Sequence, residues 1–366
     1  MRLVSPKEEL AGKLAVAGRA ASAKSTIQIL SHILLRAEEG RVELAATDME
    51  LSLRVPLEAT VEEPGAVVLP RLAGDIVRTM ADGPITLEHR ANEGVVSVAG
   101  GGSSFALNCL QAHDFPELPA DEGAGLSIPA DQLVEAIDRV ARAASRDETR
   151  PVLTGVLVRI GPEGLTLVAT DSYRLAVRQT PLDPAPQETV EAIVPARALT
   201  EASRLAGVMK AESVEVVLGE TQALFRIGDL RLTSRVIDGQ FPDHRQLVPD
   251  TFEHDVAFDR GELLAVLTRI GVLAQRNTPV RLAFAPGTVT ISATSDQVGE
   301  GHESLPVAFS GEGLEMGFNV EFLRAGVESI SGDELRLGLI SPLRPGLLRG
   351  AEDDYRYLLM PIRLNA

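Results

Sequence analysis

With 366 residues, 45% of them hydrophobic and 24% charged, the chain can bury several cores and is too apolar to stay disordered. The net charge of −17, taken as a sum, argues against a nucleic-acid partner, and the single cysteine, Cys109, excludes an internal disulfide or a cysteine metal cage. No apolar run approaches the ~18 residues a membrane helix needs, and MRLVSPKEEL turns charged before a signal-peptide core could form, so a cytoplasmic protein without a membrane partner is expected.

Residues 1–5 alternate as a strand, and Pro6 opens a helix expected over 6–22, with Leu10, Leu14 and Ala17 on one face. Strands follow at 29–35, 42–47 and 51–55, with turns at Glu38-Glu39-Gly40 and Asp48-Met49. The pattern then restarts. A strand at 66–69 leads into a helix over 71–81, and strands follow near 85–89, 94–98 and 105–110, with Gly100-Gly101-Gly102 as a hairpin turn. Residues 114–125, rich in Pro, Gly and acids, read as a linker. The middle third repeats the order: a strand at 126–128, a helix over 129–146, strands around VATDSYRLAVR, and Ile193-Val194-Pro195 leading into a helix over 196–206. A second linker surrounds Val248-Pro249-Asp250. The last third has helices over 259–276 and 319–331 and ends in the apolar strand YRYLLMPIRL.

One hairpin organises the whole. Ala46-Thr47-Asp48-Met49, Ala169-Thr170-Asp171-Ser172 and Ala293-Thr294-Ser295-Asp296 each place turn residues between alternating strands. Thr47 to Thr170 spans 123 residues and Thr170 to Thr294 spans 124, so one domain is written three times. The expected domains are 1–121, 126–248 and 250–366, each made of two strand-helix-three-strand halves. Hairpin-linked strands after each helix favour antiparallel sheets and an α+β class, and a helix standing alone between strands must pack on a sheet.

Charge is sorted by element. The six expected helices (the fourth counted over 195–210) carry a net +4, and the rest of the chain carries −21. Arg139, Arg142 and Arg146 fall at i, i+3 and i+7, and Arg71/Arg78, Arg197/Arg204 and Arg269/Arg276 repeat the seven-residue step. Any solvated helix carries arginines, and for one helix that bland reading wins. Four helices with the same pairing inside an acidic chain point to a phosphate-facing side.

Catalytic and metal chemistry are not written here. The histidines at 32, 89, 113, 244, 254 and 302 show no metal-ligand spacing on a helix, and Ala23-Lys24-Ser25-Thr26 lacks the glycines of a phosphate loop. Asp296 and Asp353-Asp354 are carboxylates expected in solvated loops. No catalytic residue, metal ligand or cofactor is expected.

The three domains, the ATD hairpins, IDGQFPDHRQLVP at 237–249 and the terminal YLLMPIRL resemble, in register over the whole chain, the bacterial sliding clamps. These are the β subunits of the replicative DNA polymerase III. The resemblance implies a head-to-tail homodimeric ring with helices lining a channel around duplex DNA, sheets outside, and no enzymatic activity. Such a ring tethers the polymerase III catalytic subunit, the clamp loader and other clamp-binding-motif proteins, and confers processivity.

By matched position, the resemblance implies a partner-peptide groove of Leu153, Thr170, Ser172, Tyr173, Arg174 and Leu175, with Pro242, Gln246 and Leu247 from the second linker. Asn319, Phe322, Leu343 and Pro345 join it from the last domain, and Leu358, Leu359, Met360, Pro361 and Ile362 from the tail. The chain departs from the family at Gln246, where a cation is familiar, and at Asn277, where an aromatic is. DNA contacts are implied at Lys24, at Arg71 and in the loop 146–152, which holds Arg146 and Arg150 and has Pro151 and Val152 in place of aromatics. With the stripes, the DNA set is Lys24, Arg71, Arg78, Arg139, Arg142, Arg146, Arg150, Arg197, Arg204, Arg269 and Arg276. Phe105, Leu107, Val272 and Leu273 are the implied dimer contact.

The rivals are a hydrolase on repeated domains, which lacks a clustered acid, base or metal set, an exported adhesin, which lacks a signal, and a repeat-domain scaffold unrelated to DNA, which leaves the arginine stripes unexplained.

Overall fold

The computed structural model describes residues 1–366 apart from 23–24, 275–277, 296, 351–353 and 365–366. Of the residues singled out in the sequence, Lys24, Arg276, Asn277, Asp296 and Asp353 therefore lie outside the described residues. Each described strand pairing is antiparallel, as the hairpin spacing requires. The helices are α1 (Lys7–Ala17), α2 (Leu72–Thr79), α3 (Ala130–Val140), α4 (Pro151–Thr154), α5 (Ala196–Met209), α6 (Arg260–Gly271) and α7 (Val320–Ser329).

Three helices are shorter than their periodicity suggests. The one expected over 6–22 stops at Ala17, where the Gly18 N–H closes the last turn on Leu14 and Val16. The one expected over 129–146 stops at Val140 and passes through a short 3-10 turn at Ala141–Ala143. Alanine-rich tails read as helix by propensity, but tertiary packing buries Ala20 and Ala143 in tighter turns. The helix expected over 259–276 ends at Gly271.

By contacts the chain divides into two compact units, 1–130 with 204–236, and 131–203 with 237–366. The sheets explain this division, because strands from neighbouring thirds share them. In the first unit an eight-stranded sheet runs Leu126–Pro129, Ser213–Leu218, Gln222–Ile227, Leu230–Arg235, Leu51–Pro56, Arg41–Thr47, His32–Glu38, Gly65–Pro70. A five-stranded sheet runs Thr60–Glu63, Arg2–Pro6, Pro84–Arg90, Val95–Gly100, Ser103–Asn108. The residues expected as a linker are pinned down. Phe115 packs on Leu34, Ala45 and Val68, and the Asp121 carboxylate accepts from Arg226 Nε and Arg231 Nε, both at 2.7 Å.

The second unit repeats the plan. Its eight-stranded sheet runs Val190–Pro195, Gly155–Gly161, Gly164–Thr170, Arg174–Thr180, Tyr355–Leu359, Gly346–Gly350, Glu334–Leu339, His254–Asp259, and its four-stranded sheet runs Gly299–Pro306, Thr288–Ser295, Val280–Ala285, Leu314–Phe318. Here Phe241, Val248 and Phe252 pack against the cluster of Val168, Leu175, Leu347 and Leu358 on one face of the large sheet. On the other face Tyr355 and Tyr357 are fully buried, and their hydroxyls donate to the carbonyls of Arg139 (3.2 Å) and Phe322 (2.9 Å).

The helices do more than pack on a sheet, as was expected of each alone: α1 also meets α2, and α6 meets α7. A Cβ on Gly74 of α2 would sit 3.3 Å from Leu14 of α1, and one on Gly271 of α6 would sit 3.2 Å from Val320 at the start of α7. At Gly326 of α7 a Cβ would come within 2.7 Å of the Tyr357 ring, so glycine is what lets α7 approach the sheet.

Candidate functional site

The central hairpin is held by its own side chains. Thr170 Oγ1 donates to the Arg174 carbonyl at 2.7 Å and accepts from the Ser172 N–H at 3.1 Å. Asp171 Oδ1 accepts from the N–H groups of Tyr173 (2.9 Å) and Arg174 (3.0 Å). These bonds hold Ser172 at φ +79, a left-handed backbone that a non-glycine residue enters only when its surroundings compel it. The first hairpin repeats the device, with Thr47 and Asp48 bonding around Met49 at φ +77.

The turn presents Tyr173 to solvent, while Leu175 goes the other way and is only 2% exposed. Leu175 pairs across the sheet with Leu358, and Leu358 with Leu347, which gives an apolar floor across three strands. The tail leaves the sheet just beyond. The Met360 N–H donates to the Tyr173 carbonyl at 2.8 Å, and the Ile362 N–H to the Gly317 carbonyl at 2.7 Å. Gly346 pairs with Leu359, which sets Pro345 beside Met360.

The residues expected in the groove separate by exposure. Leu153, Thr170, Leu175, Leu358 and Leu359 are buried, and Tyr173, Leu247, Leu343, Met360 and Ile362 are exposed apolar side chains. Ser172, Pro242 and Gln246 are exposed, and Phe322, Asn319, Pro345 and Pro361 half-buried. Asn319 is spent as the N-cap of α7, accepting from the Phe322 N–H, and Gln246 bonds Asp243 at 3.2 Å.

Arg174 does not stand ready for an incoming carboxylate. Its Nε donates to Asp171 at 3.0 Å, its Nη1 reaches the Tyr357 hydroxyl at 3.4 Å, and its guanidinium lies 4.3 Å from the Phe322 ring centroid. Burial opposes its charge, but Tyr357 and Asp171 outweigh burial and hold its pKa above the ordinary value. Burial likewise pushes the Tyr357 phenol up to about 12.

The arginine stripes are less regular than their spacing. Arg139 is 7% exposed, pairs with Glu135 at 2.6 Å and lies over the Tyr355 ring, so it leaves the expected DNA-facing stripe. Its backbone is helical, but its rotation points it at the sheet. Arg142 is exposed on the 3-10 turn, and Arg146 lies beyond it. Arg150 bonds Asp147 at 2.9 Å and Ser172 Oγ at 3.1 Å. Arg71, Arg78, Arg197 and Arg269 are exposed and Arg204 half-buried; Arg78 meets Asp75, and Arg269 is held by both oxygens of Glu303.

Of the expected interface residues, Phe105 and Leu107 lie on Ser103–Asn108, an edge strand, and Val272 is 83% exposed just past α6. Leu273 is half-buried and touches the position of Gly301. Sequence reasoning missed two features. The strand Gly299–Pro306 is also an edge, and its alternation is hidden by two glycines and a proline. A cavity of about 480 Å³ lies on the outer face of the second unit's large sheet and includes Arg159, Arg245, Arg349 and Arg356 in its lining. The two-residue steps from Leu347 to Arg349 and from Arg356 to Leu358 were the available signal.

Comparison with known proteins bears on what this arrangement belongs to. Family profiles of the DNA polymerase III beta subunit match residues 1–119 (N-terminal domain), 127–243 (central domain) and 245–363 (C-terminal domain). The chain is 36% identical to the beta sliding clamp of Synechococcus elongatus, over 100% of both chains. It superposes on the Bacillus subtilis sliding clamp with a TM-score of 0.93 at 29% identity, and on a Pseudomonas aeruginosa clamp bound to griselimycin with 0.91 at 30%, each over 100% of both chains. The chain belongs to the bacterial sliding clamp family, the beta subunits of DNA polymerase III.

Proposed function

We propose that this chain closes as a head-to-tail homodimer around duplex DNA and tethers the replicative polymerase and other DNA-processing proteins without catalysing a reaction. The observation that carries the ring is a pairing rule inside the chain. Leu51–Pro56, the strand after the first ATD turn, pairs with Leu230–Arg235, and Arg174–Thr180, the strand after the second, pairs with Tyr355–Leu359. In both cases the partner is the last full strand of the next third. The strand after the third turn, Gly299–Pro306, and the last strand of the first third, Ser103–Asn108, each end their sheets unpaired. Edge strands with open N–H and C=O groups are templates for another chain. Two copies satisfy the rule by pairing Gly299–Pro306 of one with Ser103–Asn108 of the other, a heterologous contact that closes after two. Phe105 and Leu107 then sit on the seam, with Val272 and Leu273 beside it.

DNA contact is assigned to Arg71, Arg78, Arg142, Arg146, Arg150, Arg197, Arg204 and Arg269, with Lys24 and Arg276 from sequence position, and is backbone-only and sequence-independent. The polymerase III catalytic subunit, the clamp loader and other clamp-binding-motif proteins share one groove. Leu175 and Leu358 form its floor, and Tyr173, Leu247, Leu343, Met360 and Ile362 its apolar rim. Met360 adapts to different anchors through its flexible thioether. The deciding experiment is retention on nicked circular DNA, repeated after linearisation. Release on linearisation at unchanged salt is expected; equal retention on both substrates overturns the ring.

A further inference from the structure

The cavity on the outer face of the second unit's large sheet has a chemistry that the groove lacks. Sheet register fixes its relation to the groove floor. Leu175, Leu358 and Leu347 pair in one row, and two residues along each strand Val177, Arg356 and Arg349 pair in the next. At strand rise this row lies about 7 Å from the apolar one, on the same face. Arg159 enters from Gly155–Gly161, and Arg245 from the chain that walls the cavity between His244 and Phe252. Glu163 and Asp250 also line the space, and Arg349 is held by Asp255 at 2.8 Å and lies over the Phe252 ring. Among the described residues, no ion pair joins Arg159, Arg245 or Arg356 to a carboxylate. His244, in the same lining, has its pKa lowered by burial first and then by Arg245, with Arg159 adding to the effect and only Asp243 opposing. The local field is cationic in a protein of net charge −17.

We propose that this cavity is a second subsite for partner peptides, one that takes acidic side chains flanking the apolar anchor seated over Leu175 and Leu358. Charge complementarity and continuity with the groove favour this occupant. One or two residues of extended peptide cover the separation. Arg174, next to the floor in sequence, turns to the opposite face, where Asp171 and Tyr357 engage its guanidinium, so a carboxylate beside the anchor finds its cation in the next row instead. A carboxylate on either flank exchanges water for a charge-assisted hydrogen bond to Arg356 or Arg159. The subsite adds discrimination among partners that share an anchor.

The inference rests on the groove reading, and the experiment separates the two. Three peptides carry one apolar anchor motif: neutral flanks, acidic residues N-terminal to the anchor, or acidic residues C-terminal to it. Calorimetric titration of the intact protein is expected to give one acidic-flanked peptide an advantage of about three- to tenfold over the neutral one, shrinking as salt rises. The variant Arg159→Gln/Arg356→Gln, with its melting temperature as the folding control, should lose that advantage and still bind the neutral peptide. If no peptide binds the unaltered protein, the groove reading fails. If all three bind equally well, the groove stands and the acidic subsite is overturned. It is likewise overturned if inorganic phosphate or a short single strand of DNA binds the unaltered protein but not the double variant while acidic flanks gain nothing.

Discussion

The Met360 N–H donates to the Tyr173 carbonyl at 2.8 Å, which fastens the C-terminal tail to the tip of the central hairpin across 187 residues of sequence. That one bond sets the rim of the proposed groove, because both side chains are exposed on either side of it. Leu175 lies beneath them with almost no exposure.

The first prediction follows from that difference. Met360, 41% exposed, supports little else, so Met360→Ala should weaken a clamp-binding peptide by about 1–2 kcal/mol and leave the melting temperature nearly unchanged. Leu175→Ala should weaken binding too, but through the fold as well, since removing a buried leucine costs about 2–5 kcal/mol. Deleting residues 360–366 removes the bonds to Tyr173 and Gly317, and should lower the melting temperature by a few degrees and nearly abolish peptide binding. Unchanged peptide affinity after this deletion would remove the tail from the groove.

The second prediction concerns the seam. Phe105 and Val272 are both exposed apolar side chains, beside open strand edges. Phe105→Asp or Val272→Asp should yield monomers in sedimentation velocity at micromolar concentration, with an intact fold by circular dichroism, because a charge buried in the seam would have no partner. Leu273→Asp is the less clean test, since Leu273 also packs near Gly301 in its own copy. Dimers surviving both exposed substitutions would disprove the seam.

Much of this was legible in the chain. The ATD repeats gave the period, and the alternation around them gave the hairpins, because turn chemistry and strand periodicity act locally. The sharing of sheets between thirds was not legible. The pairing of Arg174–Thr180 with Tyr355–Leu359 joins segments far apart in sequence, and no local propensity announces it. Side-chain rotation also escaped. Arg139 and Arg142 share a stripe by spacing, yet one is buried against Tyr355 and the other is exposed, because the helix gives way to a 3-10 turn between them. For the proposed groove, family position supplied the residues, and the register that sets Arg356 between Val177 and Arg349 needed the folded sheet.

That rotation separates two kinds of arginine in a third prediction. Arg139→Ala should act on stability, lowering the melting temperature, because it strips Glu135 of its closest cation and uncovers Tyr355. Arg71→Ala with Arg146→Ala should leave the melt unchanged and weaken DNA association at low salt by a few-fold, with a shallower dependence on salt. Fluorescence anisotropy on a duplex between low and physiological salt checks the slope. A melting loss for the exposed pair with no change in slope would take both residues off the DNA face.

The last prediction uses Asp121, which binds the first linker to its sheet through Arg226 and Arg231. Burial alone would raise its pKa, but the hydrogen bonds and charges of the two guanidiniums outweigh burial and hold the carboxyl below its usual range. A carboxyl with a depressed folded pKa stabilises the native state fully above its unfolded value of about 3.9, and that contribution is lost as pH falls from there through the folded value. Asp121→Asn should therefore be less stable than the parent in urea melts at pH 7 and at pH 5. The gap should narrow at pH 3 and below, where the parent carboxyl also becomes neutral. Groups common to both proteins cancel in this difference, so general acid denaturation does not imitate it. Raised salt at pH 7 should shrink the gap as well, since the Asp121 side chain is 37% exposed and its pairs are partly screened. A gap that stays constant from pH 7 to below pH 3 would mean that Asp121 acts by shape alone and that its two arginines hold the linker without its charge.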